Sequence, residues 1–177
     1  MVRITGGELR GRRLAAAGKE TRPTTEKVRQ ALFNTIQHKV MGAHVLDLFA
    51  GSGAVAIEAI SRGAASAICV ESSRRAAQQI RRSLETLDIE SVCEVVCGDV
   101  FRSLARLAGP FTIIFADPPY GKGYGERLLT ALDELDLLAD GGLCILEEVS
   151  YKRPPIRYLE LIEEREYGDT HLYIFKK

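Results

Sequence analysis

Short apolar runs alternate with helix-period stretches along most of this chain. From His44, HVLDLFA reads as a buried strand, and Gly51-Ser52-Gly53 as a tight turn. AVAIEAISR then follows helical spacing up to Gly63. SAICVE predicts a strand, and Ser72 or Ser73 caps the helix RRAAQQIRRSLETL. VCEVVCGD predicts the next strand, and VFRSLARLA a helix bounded by Gly109-Pro110. FTIIFAD is a further apolar strand, followed by a helix from about Glu126 to Leu138 and, after Asp140-Gly141-Gly142, the strand LCILEEV. The last two runs, Ile156 to Glu166 and Thr170 to Phe175, meet at Gly168-Asp169, a hairpin signal. Upstream, residues 1–22 suit a small hairpin or an extended arm. Thr24 or Thr25 then caps a helix carrying Val28, Ala31, Leu32, Thr35 and Ile36, which Gly42 closes.

Strands alternating with helices over short loops predict an α/β fold of Rossmann-like type. Its sheet is mostly parallel and seven-stranded, with a C-terminal antiparallel hairpin and a short basic N-terminal arm. Residues 1–42 form the arm and its helix, and 43–177 the main domain, within one globular unit. In such sheets ligands bind beyond the carboxyl ends of the strands, where strand order reverses.

Composition adds little until charge is divided by region. The net charge is zero, yet residues 1–39 carry +6, 40–120 carry −2 and 121–177 carry −4. A basic arm on a neutral-to-acidic body points to an anionic partner, foremost nucleic acid. No apolar run nears the roughly 20 residues of a membrane span, and the N-terminus lacks the apolar core of a signal peptide, so a cytoplasmic location is expected. Cys69, Cys93, Cys97 and Cys144 form no CxxC pair and read as packing residues; His38, His44 and His171 match no ligand spacing, so no metal is expected.

Asp47, Glu71, Asp99 and Asp117 fall at or near the ends of four successive strands. GSGAVA at 51–56 fits the glycine-rich pattern between strand and helix, which also serves nicotinamide dinucleotides. Asp47 argues against a pyrophosphate beside it and for a cationic group. Glu71, twenty residues after Gly51, is placed for ribose hydroxyls, and Asp99 for an adenine amino group. A ribose, an adenine and a cationic amino-acid tail together describe S-adenosylmethionine. Asp117 is followed by Pro118, Pro119 and Tyr120. The prolines donate no hydrogen bond and stiffen the turn. The turn offers a carboxylate, a free carbonyl and an aromatic ring to a flat amine.

VLDLFAGSGAVAIEAISRGA, then VES, GDV and DPPY, resembles the class I S-adenosylmethionine-dependent methyltransferases. RITGGELRGRRL followed by TRPTTEKVRQALFN is similar to the bacterial family that methylates guanine N2 in small-subunit (16S) ribosomal RNA, and YGDTHLYIFKK resembles that family's last hairpin. The resemblance spans nearly the whole chain, and assigns no role to the loop GKGYGE. It implies that Asp47, Phe49, Gly51, Ser52, Gly53, Glu71, Ser72, Asp99 and Val100 hold the cofactor. It implies a catalytic turn of Asp117, Pro118, Pro119 and Tyr120, with Asp117 as proton acceptor or only as polarising group. It implies RNA contacts, or closure over the cofactor, from Arg3, Arg10, Arg12, Arg13, Arg22, Thr24, Lys27 and Arg29. The partner would be ribosomal RNA, naked or in an assembled 30S-type particle, met by a monomer. Arg74, Arg75, Arg81 and Arg82, seven apart in pairs, read as a solvated basic face. The competing readings are a DNA amine methyltransferase, a protein-glutamine methyltransferase, a nicotinamide oxidoreductase and a non-catalytic RNA- or nucleotide-binding module.

Overall fold

A computed structural model gives the fold, and the structure describes residues 2–14 and 26–177. Strands β1 (Val2–Arg3) and β2 (Arg13–Leu14) form a small antiparallel hairpin. Helix α1 (Glu26–Val40) follows, and then the predicted alternation. It comprises β3 (His44–Leu48), α2 (Ala54–Ser61), β4 (Ser66–Glu71), α3 (Arg74–Leu87), β5 (Cys93–Cys97), α4 (Val100–Leu104), β6 (Phe111–Ala116), α5 (Tyr124–Leu135) and β7 (Leu138–Glu148). The hairpin β8 (Glu160–Tyr167) and β9 (Thr170–Lys176) closes the chain.

Seven strands make one sheet in the order β5-β4-β3-β6-β7-β9-β8. The first five are parallel, and β9 pairs antiparallel to both β7 and β8. The expected mixed α/β sheet is therefore present. Side chains alternate across it, giving two cores. One gathers Val45, Ile113, Phe115 and Ile145 with α1, α2 and α3, and the other Leu46, Ile114, Ala116 and Leu146 with α4 and α5. Strand order reverses beside β3, whose parallel neighbours β4 and β6 are reached through helices on opposite faces.

Three boundaries differ from expectation. Helix α5 stops at Leu135, because Asp136 adopts a left-handed φ of 52°. The apolar Leu137 and Leu138 continue the helical spacing but belong to the sheet side, where Leu138 pairs with Phe111. Strand β7 then runs through Asp140-Gly141-Gly142, with a register shift opposite Phe111–Ile113. Helix α4 ends at Leu104, four residues short of the expected Ala108. Strand β8 starts at Glu160 and not Ile156, because the Asp133 carboxylate of α5 takes the Arg157 and Tyr158 N–H groups at 2.8 and 2.7 Å.

The N-terminal hairpin docks on α2 through a buried ionic network. Glu58 is fully buried and Arg29 is 1% exposed. Glu58 accepts from the Thr5 N–H at 2.8 Å, the Thr5 hydroxyl at 2.6 Å, Arg62 Nε at 2.9 Å and Arg29 Nε at 3.4 Å. Arg29 also donates to the Arg3 carbonyl. Ile4 and Leu14 join the same core as α1 and α2, so the basic arm has an anchored base. A buried charge stripped of its partner is expensive. Glu58→Ala should therefore lower stability by about 3–5 kcal/mol, read as the urea midpoint. A loss below about 1 kcal/mol would mean the network contributes little beyond its neighbours' packing.

Candidate active site

The carboxyl ends of β4, β3, β6 and β7 frame a cleft at the strand-order reversal. Glu71 ends β4, Asp117 follows β6 directly, and Asp47 and Glu147 stand one residue before the ends of β3 and β7. By alternation all four lie on the face shared with α1 and α2.

The glycine turn is fixed from both sides. Phe49 turns the chain with φ 58°, unusual for a residue with a side chain, and Gly51 and Gly53 follow at φ 55° and 71°. A Cβ on Gly53 would meet Ile80 Cγ2 at 2.9 Å, so close packing on α3 also requires glycine. Glu71 accepts from the Gly51 N–H at 2.8 Å and the Ser73 N–H at 2.7 Å. It thus ties the turn to the start of α3, with Ser72 exposed beside it. Asp99 caps α4 by accepting from the Arg102 N–H at 3.0 Å; it is exposed, whereas Val100 is buried.

Asp47 sits deeper than the sequence suggests. It is 2% exposed and accepts from the Ala56 N–H at 3.1 Å, in the first turn of α2. Burial pushes its carboxyl up to about 8, opposed by the Ala56 bond and reinforced by the charge of Glu71. Burial thus disfavours its charged form, which a neighbouring cation or a higher pH would favour.

Across the cleft, Asp117 is half-buried, Pro118 buried and Pro119 exposed. Tyr120 is 40% exposed, its hydroxyl 3.4 Å from Thr170 Oγ1 at the start of β9. Burial first, and then Asp117, Glu147 and Glu148, raise the Tyr120 phenol above its usual value, against the Thr170 bond.

Sequence reasoning missed two features. Glu147 and Glu148 are buried at the end of β7. They end an apolar run on an acid, the same signal that singled out Asp117. The rings of Phe49, Phe101 and Tyr124 also cluster, with Phe49 and Tyr124 stacked at 6.0 Å and the Arg127 guanidinium 3.8 Å from the Phe101 ring centre. Phe49 was a candidate alone; its ring partners come from α4 and α5, which spacing does not bring together.

The candidate nucleic-acid contacts divide. Arg10, Arg12, Arg13 and Lys27 are exposed, and Arg3 is exposed with Glu26 at 3.3 Å. Arg29 is a correction: buried within the Glu58 network, it cannot reach a partner arriving from solvent. Arg22 and Thr24 lie outside the described residues. On α3, Arg74, Arg75 and Arg82 are exposed, while Arg81 donates to the Val95 carbonyl of the sheet edge. Cys97 is exposed where packing was expected; Cys69, Cys93 and Cys144 are buried. Among the described residues no helix is long and apolar enough to cross a membrane.

Comparison with known proteins places this geometry in context. The family model "Conserved hypothetical protein 95" matches residues 2–176. Ribosomal RNA small subunit methyltransferase D of Escherichia coli K12 is 40% identical, over 82% of this chain and 74% of its own. The Bacillus subtilis 168 protein named "Putative rRNA methyltransferase YlbH" is 38% identical, over 99% of both chains. The solved structure of "Putative methyltransferase yhhF from Escherichia coli" superposes with a TM-score of 0.89 at 36% identity, covering 99% of this chain and 97% of that one.

The raised Asp47 carboxyl gives a pH signature. Unfolded, an aspartate releases its proton near 4; folded, this one holds it to about 8. Between those values only the folded state is protonated, so raising the pH favours unfolding. Asp47→Asn keeps the bond to Ala56 and removes the titration. Its stability relative to the unaltered protein should increase steadily from about pH 5 to about pH 8. Parallel melting curves across that range would refute the shift.

Proposed function

The chain belongs to the family described as conserved hypothetical protein 95, and from that premise we propose that it methylates the exocyclic N2 of a guanine in small-subunit ribosomal RNA, using S-adenosylmethionine. The observation that carries this reading is the stiff Asp117–Tyr120 turn facing the glycine turn and Glu71 across the strand-order reversal. The names of the relatives supply the RNA class.

The residues present fit the cofactor. Glu71, held at the rim by two backbone N–H groups, can also accept from ribose hydroxyls, and exposed Asp99 from an adenine amino group. A Cβ on Gly51 would meet nothing nearer than the Phe49 carbonyl oxygen at 4.0 Å. A cleft edged by acids disfavours a pyrophosphate and favours a cation. When bound, the cofactor supplies a methyl group on a positively charged sulfur.

The chain's own residues prepare the acceptor. A guanine amine is a poor nucleophile, because its lone pair is delocalised into the ring. Acceptors at each amine N–H, the Asp117 carboxylate and the Pro118 carbonyl, would favour a pyramidal nitrogen and stabilise the charge developing on it. Nitrogen forms the new bond to carbon as the carbon–sulfur bond breaks, with its electron pair going to sulfur. The surplus amine proton leaves to Asp117 or to water. Tyr120 would stack on a base extruded from its helix and hold it in line. The anchored N-terminal hairpin presents Arg10, Arg12 and Arg13 to RNA phosphates, whether the substrate is naked RNA or an assembled particle, and the protein acts as a monomer.

Two measurements test this. Asp117→Ala should reduce methyl transfer to small-subunit RNA or particles by about 100-fold or more, while S-adenosylhomocysteine still raises the melting temperature. Transfer within a few-fold of the unaltered rate would remove Asp117 from the chemistry. Replacing Arg10, Arg12 and Arg13 by Gln should weaken RNA binding and lower the slope of log K against log salt by about 2 to 3. An unchanged slope would make the hairpin purely structural.

A further inference from the structure

The loop GKGYGE, directly after the proline turn, has no task in the scheme above. The chain leaves Tyr120 through Gly121 at φ 72° and enters α5 after Gly123 at φ 65°. Lys122 therefore stands between two left-handed glycines, which turn the chain tightly at the end of the catalytic turn. Lys122 and Arg127 also depart from the charge of their region. Residues 121–177 carry −4, yet residues 121–127 hold these two cations against the one acid Glu126, a local balance of +1.

Both cations are held on rings. The Arg127 guanidinium carbon lies 3.8 Å from the centre of the Phe101 ring, and Lys122 Nζ 5.9 Å from that of Tyr124. Tyr124 stacks on Phe49 and meets Phe101 edge-on at 5.6 Å. The three rings are half-buried, whereas both cations are exposed. Among the described residues neither cation forms an ion pair. Glu126 accepts from the Lys152 N–H at 2.9 Å. A ring takes up the flat face of a guanidinium and leaves its N–H edge to a partner. A side chain already held in place also loses less rotamer freedom when it binds. Phe49 and Phe101 pack on the core of α4 and α5, whereas the hairpin docks on α2, on the other face of the sheet. Exposed cations thus stand on both faces of the sheet that carries the cleft.

We propose that Lys122 and Arg127 form a second RNA-phosphate site, which takes the phosphates adjoining the target base while the hairpin arginines hold the strand on the opposite face. A base turned into the cleft brings its own phosphates to the rim, where the strand-end acids repel them. Lys122 and Arg127 are the cations on the chain segment that leaves Tyr120, so they offset that repulsion where it is felt. The Arg127 edge can bond two phosphate oxygens in parallel, and Lys122 adds a point charge. The contact is to backbone, so it positions the strand without reading its sequence. This role rests on the RNA reading above.

Binding of small-subunit RNA, assembled into particles if transfer requires them, is measured against salt. Lys122→Gln with Arg127→Gln should raise the dissociation constant about tenfold near 0.1 M salt and lower the slope of log K against log salt by about 1.5, while S-adenosylhomocysteine still raises the melting temperature. Lys122→Arg with Arg127→Lys keeps both charges and should hold the slope within about 0.5 of the unaltered protein. An unchanged slope in the Gln pair would overturn the site. So would an equal fall in the charge-keeping pair, which would make the ring contacts purely structural. Lys122→Gln alone leaves Arg127 on Phe101 and should still lower the slope by about 0.7, so the idea can fail even if the double variant does not fold. The nucleotide labelled by the unaltered protein is also mapped, and its adjoining phosphates are replaced by uncharged methylphosphonates. This should weaken binding by the unaltered protein about tenfold and by the Gln pair less than about twofold. Equal losses in the two proteins would refute contact at those phosphates. An unaltered protein that neither binds nor labels the RNA would instead remove the functional reading, and this inference with it.

Discussion

The strand-order reversal at β3 is the constraint on which the site depends. β3 has parallel partners on both sides, and the helices leading to them leave on opposite faces. Where those paths diverge, at the carboxyl ends of the strands, such a topology leaves a cleft. The backbone there must turn at once, which accounts for Phe49, Gly51 and Gly53 all adopting positive φ within five residues. A non-glycine residue in that region costs about 1–3 kcal/mol. The fold tolerates it because Ala50 and Gly53 are pinned by backbone bonds to Val70 and Ala50, and Glu71 clamps Gly51.

The acids are divided by the same geometry. Glu71 and Asp47 face the glycine turn and are engaged by its backbone or by the start of α2. Asp117 opens the proline turn, and Glu147 stands beside it on the neighbouring strand. Two acids lie on each side of the reversal, and on the proposed reading one half of the cleft takes a cationic, hydroxyl-bearing ligand and the other an amine-bearing base. A base would then be brought to a ligand held by separate residues, so orientation could contribute without either half being reshaped.

Much of this was readable before folding. Parallel strands buried on both faces appear as continuous apolar runs, so the alternation, and the acids that end the runs, stand out directly. Boundaries failed where local chemistry overrode periodicity: Leu137 and Leu138 extend the helical pattern of α5, but a left-handed Asp136 hands them to the sheet. Arg29 was misread because a basic residue in a basic segment suggests a surface contact. Its spacing with Phe33, Ile36 and Val40 placed it on the buried stripe of α1, and Glu58, the one charge in the apolar helix α2, was its partner in waiting. The Phe49, Phe101 and Tyr124 cluster and the Asp117–Glu147 neighbourhood depend on which elements meet, which no local pattern encodes.

An acidic cleft is an awkward destination for RNA, whose phosphates it repels. The charge distribution resolves this by separating the tasks in space. The +6 segment begins with a hairpin rooted in the Glu58 network, where one acid buried among Arg29 and Arg62 leaves Arg10, Arg12 and Arg13 unpaired by it and exposed. On the proposed reading phosphates are attracted to the hairpin, which is anchored on α2. On the proposed reading an uncharged base, turned out of its strand, enters the acidic cleft without repulsion. On this division of labour, which rests on the proposed function, the hairpin would govern affinity and its dependence on salt, and the Asp117 turn the amine that reacts. A rigid link between the two is needed for the first to serve the second, and the fully buried Glu58 supplies it.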